Sequence, residues 1–429
     1  MSRLAALLAL ASLALRADGV RDHHSETSAL SGDQDAEKSG DDERTILARG
    51  LEYGSQPGLD SVSKAYLMGT APDIEKRASW AAVYESAMRK LPERGVHVDD
   101  HQGTPIGLGE SIGLVAASFS LEHAQVDKLP REFRTGLFGL CGQTCPSLKA
   151  AVRISHTNAA NMDLMRFALK VRTEEYGEVD FHFTETLKDF PIKDLEQLRA
   201  FTKMVKAGTA WALVRHPLAM AAMASQSSTL ASTYGEQVKS AGSLGKDYYG
   251  MTPFRLGDAG PTAGAYKVRL VAQQPQSYRG GSDQKEYLQN MRNQLAADVQ
   301  ERAHRFNFEI QVATSAEDHK VNDAYANWKE TSSPWIRMGT MEIPQQSFEA
   351  PVTVGNVVGS GLWVGGQAQF NSKELLFTPG SEAHAAIGDI NAFRSYLYPL
   401  YDKARQEYLL KKQDGTAAIC PWAQMSNSA

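Results

Sequence analysis

The chain has 429 residues, room for one large domain or two ordinary ones, and 42% of them are hydrophobic, which supports a buried core. The 45 Lys and Arg against 50 Asp and Glu give a net charge of −5, with no basic cluster, so no nucleic acid or anionic membrane partner is expected. There is no Walker loop and no zinc-type cysteine spacing, and "GNVVGSGLWVGG" lacks the spacing of a dinucleotide loop. In chain order, Arg3, an apolar run from Leu4 to Leu15 and the small residues Ala17 and Gly19 have the layout of a signal peptide over 1–19. That run is too short to span a bilayer, and no later stretch reaches 18 uncharged apolar residues, so no transmembrane segment is expected. The expected location is the secretory pathway, either secreted or in an organelle lumen. Residues 20–60 open with the acidic "VRDHHSETSALSGDQDAEKSGDDERT" and read as a disordered linker or propeptide, because such a stretch buries too little to offset its ordering entropy. A folded domain is expected over 61–415 and a tail over 416–429.

Within the domain, 72–91 reads as a helix between Pro72 and Pro92. Short runs rich in β-formers follow at 111–121, 150–155, 164–173 and 179–185. Two helical stretches come next, at 194–205 and 209–225, the second broken at Pro217. Further strands are expected at 265–273, 306–314 and 335–344, with a helix over 294–305 and a closing helix from Asp389 to Lys412. Without regular β–α alternation, a doubly wound parallel sheet is not expected. The pattern predicts an α+β fold, an antiparallel sheet, open or closed into a β-barrel, with helices packed outside. Cys141 and Cys145 can pair across "CGQTC" in an oxidising compartment, leaving Cys420 over.

Three groups of residues could carry chemistry. In "LPERGVHVDDHQG", Arg94 precedes His97 by three residues; His97 and His101 have a metal-ligand spacing, but Gly95, Gly103 and Pro105 oppose a helix and no Glu follows His97, so the residues alone favour a solvated or capped histidine. In "AAVRISHT", alternation puts Arg153 and Ser155 on one strand face and Val152 and Ile154 on the other. A buried Arg153 needs an anion, whether a ligand or a carboxylate of the chain. In "GDINAFRSYLYPLYDKAR", Arg394 lies one helical turn before Tyr398, where its charge favours phenolate; Tyr396 falls about 200° round the helix from Tyr398. Tyrosines at this spacing either fill a core or, as phenolate, ligate a ferric iron.

Several segments, in order, resemble the catalases, and in particular the short catalase-like haem proteins that include allene oxide synthases. "PERGVH" resembles the distal motif, "VRIS" the Val-Arg-Phe-Ser strand, and "DLMRFALK" the Asp-x-Arg-Gly-Phe-Ala-Leu-Lys strand. "PFRLGDAGPTAGAYKVRL", "WKETSSPW", "EIPQQ" and "HAAIGDINAFRSYLY" resemble later family segments, so the likeness runs from about residue 85 to 412. It implies a haem-binding barrel with haem b (iron protoporphyrin IX). On this resemblance Tyr398 is the proximal iron ligand with Arg394 as its partner, and His97 is the distal acid–base, oriented by Ser155. Arg94 and Arg153 would meet the haem propionates. Thr186 stands where the family's distal asparagine is expected, and Pro399 follows the ligand. The implied activity is decomposition of hydrogen peroxide or organic hydroperoxides. The alternatives are a fatty-acid hydroperoxide isomerase or lyase, a non-catalytic haem binder, and a barrel lipid carrier without haem. The substrate partner is thus a peroxide or lipid hydroperoxide, and the oligomeric state stays open between monomer and homo-oligomer.

Overall fold

The computed structural model describes residues 42–70, 79, 110–159, 162–175, 178–185, 242–250, 252–274, 276, 287–323, 328–348, 352–354, 357–359, 387–391 and 393. The expected helices at 72–91, 194–205 and 209–225 lie outside these residues, as does the closing helix beyond 393.

Every strand run expected from alternation forms a strand. β1 (Glu110–Leu121), β2 (Ser147–Ala159), β3 (Met162–Arg172) and β4 (Glu178–Glu185) make an antiparallel meander. β5 (Tyr248–Tyr249) pairs with both β4 and β7 (Gly264–Ala272), and β6 (Phe254–Leu256) pairs beside it on β7. β8 (His304–Val312) and β9 (Trp335–Ile343) complete the circuit, since β9 pairs back onto β1. The result is an antiparallel barrel of eight strands, β1 to β5 and β7 to β9. The expected α+β barrel with helices outside is therefore the architecture observed. Closure removes the exposed edges that an open sheet would present.

The interior of an eight-stranded barrel is narrow enough for side chains to fill it. Phe119, Phe181 and Phe308 meet there, with ring centroids 5.0 to 6.4 Å apart. Val152, Ile154, Phe167 and Leu169 join the same apolar cluster. Outside, α5 (Tyr287–Glu301) packs against β1, where 294–305 was expected to be helical. The short helices α3 (His123–Val126) and α4 (Gly136–Gly139) occupy the β1–β2 connection.

The amino-terminal expectation needs correction. Residues 42–60 are not a disordered linker: α1 (Glu43–Glu52), a 3-10 turn (Tyr53–Ser55) and α2 (Ser61–Leu67) fold against the barrel. Asp42 caps α1 by accepting from Thr45 N at 2.9 Å, and Asp60 caps α2 through Val62 N and Ser63 N. Ile46, Leu47, Tyr53 and Leu59 are buried, so apolar residues spaced along one face outweigh the acidic average of the stretch. At Gly50 a Cβ would lie 2.6 Å from Val312 Cγ1 and 3.2 Å from Phe133, which is why the helix approaches so closely. Residues 20–41 lie outside the described residues.

Cys141 and Cys145 form a disulfide in the β1–β2 connection. It closes a five-residue loop, so chain-entropy reasoning assigns it about 2 kcal/mol. Reduction should lower stability by that amount, read as a shift in the urea midpoint with and without dithiothreitol; an unmoved midpoint contradicts this.

His319 sits in the loop after β8, fully buried against Trp328. Its Nδ1 accepts from Thr314 N and Ser315 N at 3.1 and 3.0 Å, and its carbonyl accepts from the Tyr53 hydroxyl. Burial lowers its pKa to about 4, aided by Lys267 and Lys329 and opposed by Asp318. The unfolded chain therefore takes up a proton that the folded chain refuses. Stability from the neutral imidazole is complete above about pH 6.5 and falls by about 3 kcal/mol as the pH drops to about 4. His319→Asn, which keeps an acceptor near Nδ1, should flatten urea midpoints plotted against pH in this window. Equal slopes in variant and wild type would rule out His319 as the source.

Candidate functional site

On β1 to β4, successive residues alternate between the phenylalanine-filled interior and the outer wall. Val152 and Ile154 face the interior cluster. Arg153 and Ser155 therefore take the outer wall, as alternation predicts, and are buried there at 7% and 4% exposure. The strand register arranges this wall in rows. Ser155 lies opposite Arg166, and Arg166 opposite Thr184. The next row runs Leu114, Arg153, Ala168, His182, and the one beyond it Ala116, Ala151, Lys170, Asp180.

The chemistry of these rows is mixed. Leu114, Ala151 and Ala168 form an apolar strip with Val352 of β10 (Val352–Val354), which pairs with β11 (Val357–Gly359). Beside the strip, Lys170 Nζ lies 2.8 Å from Asp180 Oδ1 and 3.0 Å from Oδ2, with both side chains almost fully buried. Thr184 is 5% exposed, and its Oγ1 makes no hydrogen bond among the described residues. Tyr249, paired with Thr184, extends the first row onto β5; burial, then Asp247, raises its phenol above the ordinary value, so the group is neutral.

The structure thus brings together two residues singled out in the sequence, Arg153 and Ser155. Arg94, His97, Thr186, Arg394 and Tyr398 lie outside the described residues. Thr184, two positions before Thr186, is the threonine described in the Ser155 row. Strand alternation alone could have placed it opposite Phe181 and Phe183, but its alignment with Ser155 depends on two cross-strand registers.

The wall suits a flat, largely apolar group that carries carboxylates. Alanines 116, 151 and 168 keep the sheet surface low, Arg153 supplies a buried cation, and the orphaned Thr184 hydroxyl offers a polar contact. Haem has that chemistry, so the described residues fit it. No group of three or more His, Cys, Asp or Glu suited to a bare metal ion occurs among the described residues.

The chain is similar in structure to a fungal catalase, with 15% identity, a TM-score of 0.47 and coverage of 70% of this chain. It is likewise similar to catalase A from Saccharomyces cerevisiae (13% identity, TM-score 0.46, 69% covered) and to a bacterial catalase (14%, 0.45, 74%). It spans 59% of the length of each of those chains. No family model and no curated protein matches it.

Proposed function

We propose that this chain is a haem-dependent, catalase-like enzyme that decomposes hydrogen peroxide or organic hydroperoxides. The observation that carries the reading is the buried outer wall on which Arg153 and Ser155 sit two residues apart, beside an apolar strip. The ordered motifs around them, from "PERGVH" to "AFRSYLY", support the same reading.

Bound haem would supply a ferric iron able to accept oxygen from a peroxide. The chain's own residues would do the rest. Arg94 and Arg153 hold carboxylates by charge-assisted hydrogen bonds. Tyr398 would supply an anionic oxygen to hold the iron, with Arg394 favouring its ionised form. His97 takes a proton from one peroxide oxygen and returns it to the other, which suits a neutral imidazole near its ordinary pKa. Ser155 fixes the orientation of that imidazole.

The choice of peroxide bears on Arg166. It stands where the family's strand motif has glycine, and its register places it between Ser155 and Thr184. The row thus carries a cation that the family motif lacks, and comparing hydrogen peroxide with a fatty-acid hydroperoxide measures its effect on substrate choice. Two assays on protein with a Soret band test the proposal: oxygen evolution from hydrogen peroxide, and loss of the diene absorbance of a fatty-acid hydroperoxide. Activity in neither leaves only haem binding, and absence of a Soret band after reconstitution removes the haem reading.

We also place the protein in the secretory pathway. Its disulfide supports an oxidising compartment, and amino-terminal sequencing of the secreted product would test cleavage near residue 19.

A further inference from the structure

The first turn of the C-terminal segment is held by hydrogen bonds from three other parts of the chain. Asp389 is gripped on three atoms: its N donates to Asn322 Oδ1 at 2.8 Å, its Oδ2 accepts from Asn322 Nδ2 at 3.3 Å, and its Oδ1 accepts from the Tyr66 hydroxyl at 2.8 Å. Asn391 is gripped in turn. Its Oδ1 accepts from Thr252 Oγ1 at 2.9 Å, and its Nδ2 donates to the carbonyls of Pro253 and Ile387 at 3.2 and 3.0 Å. Just before Asp389, Gly388 adopts φ +92°, and a Cβ there would meet the Val321 carbonyl at 3.0 Å. Tyr66 and Ile387 are fully buried, and Asn391 is 7% exposed.

None of these bonds is made to a residue of a barrel strand. What they fix is the entry of the segment, at a helical first turn, in both position and rotation. Anchors from α2, from the turn before β6 and from the loop after β8 converge within five residues. Arg394 and Tyr398 follow Asp389 by five and nine residues in the sequence. A ligand that must reach one metal atom depends on the groups that orient it, and removing such groups typically costs roughly 10- to 100-fold in affinity.

We propose that Tyr66, Asn322, Asp389 and Asn391 form a clasp of positioning residues that sets how the C-terminal segment presents Tyr398 to the haem iron. The inference rests on the haem reading above. It also makes α2, from the amino-terminal part of the chain, a component of the proximal side.

The test uses the full chain as wild type, Tyr66→Phe and Asp389→Ala. Amide hydrogen exchange is followed over 387–412 without haem, and haemin is titrated in parallel with ferric spectra recorded. In both variants, amides over 388–400 should exchange at least about tenfold faster while β1 to β4 keep wild-type rates. Haemin Kd should rise roughly 10- to 100-fold, and the residual ferric spectrum should depart from that of wild type. Unchanged exchange overturns the clasp, as does faster exchange with wild-type affinity and spectrum. If Asp389→Ala does not fold, Tyr66→Phe decides, because it deletes one oxygen and leaves the ring in place. Wild type that takes up no haemin defeats the haem reading itself, a failure distinct from one seen only in the variants.

Discussion

Asp180→Ala should lower the unfolding free energy by about 3–5 kcal/mol. Lys170 and Asp180 are 0% and 1% exposed, and the ammonium lies within 3.0 Å of both carboxylate oxygens. Removing the carboxylate takes from a buried cation its partner at 2.8 Å. Removing both charges is a different experiment. Lys170→Met with Asp180→Leu should recover most of the loss, because the pair's mutual attraction mainly offsets its desolvation. Urea unfolding followed by far-UV circular dichroism gives both values. A loss under about 1 kcal/mol in Asp180→Ala would show that the pair contributes far less than its burial implies. The two residues stand in the row beyond Arg153, so the single variant should also weaken haemin binding by disturbing that wall.

The largest effect on turnover is expected at His97. His97→Ala should reduce peroxide turnover by about 10²–10⁴-fold while the Soret band persists, the usual contribution of one positioned acid–base group. Tyr398→Phe should do the reverse first, with haem lost or its spectrum shifted before any rate can be read. Each variant needs both measurements, oxygen or diene kinetics and the absorption spectrum. Full activity in His97→Ala would defeat the assignment of the proton step to His97.

Long alternating runs make most of this fold legible. "SIGLVAASFSL", "VDFHFTE" and "FNFEIQVAT" announce β1, β4 and β8 because one face of each is buried in the barrel. β5 and β6, of two and three residues, have no such period; β5 is placed by closing the barrel between β4 and β7, and β6 by pairing with β7. The first two helices are not legible because the acidic residues before Glu43 dominate the average over 20–60, while the clusters that bury Leu47 and Tyr53 include residues far along the chain, such as Val312, Ala265 and Ala313. At the candidate site, alternation within β2 was enough to join Arg153 with Ser155. The addition of Arg166 and Thr184 required inter-strand register, which residues far apart in sequence decide together. The Lys170–Asp180 pair was hidden for the same reason.

The close seat of α1 against Val312 has a consequence for synthesis. Leu47 and Tyr53 leave the ribosome more than 250 residues before Val312 and Ala313. At the usual pace of about 5–20 residues per second, that delay is on the order of tens of seconds. Until then the helix lacks the part of its seat that β7, β8 and their loops supply, which makes this stretch a natural client for chaperones and late to dock although it is made early.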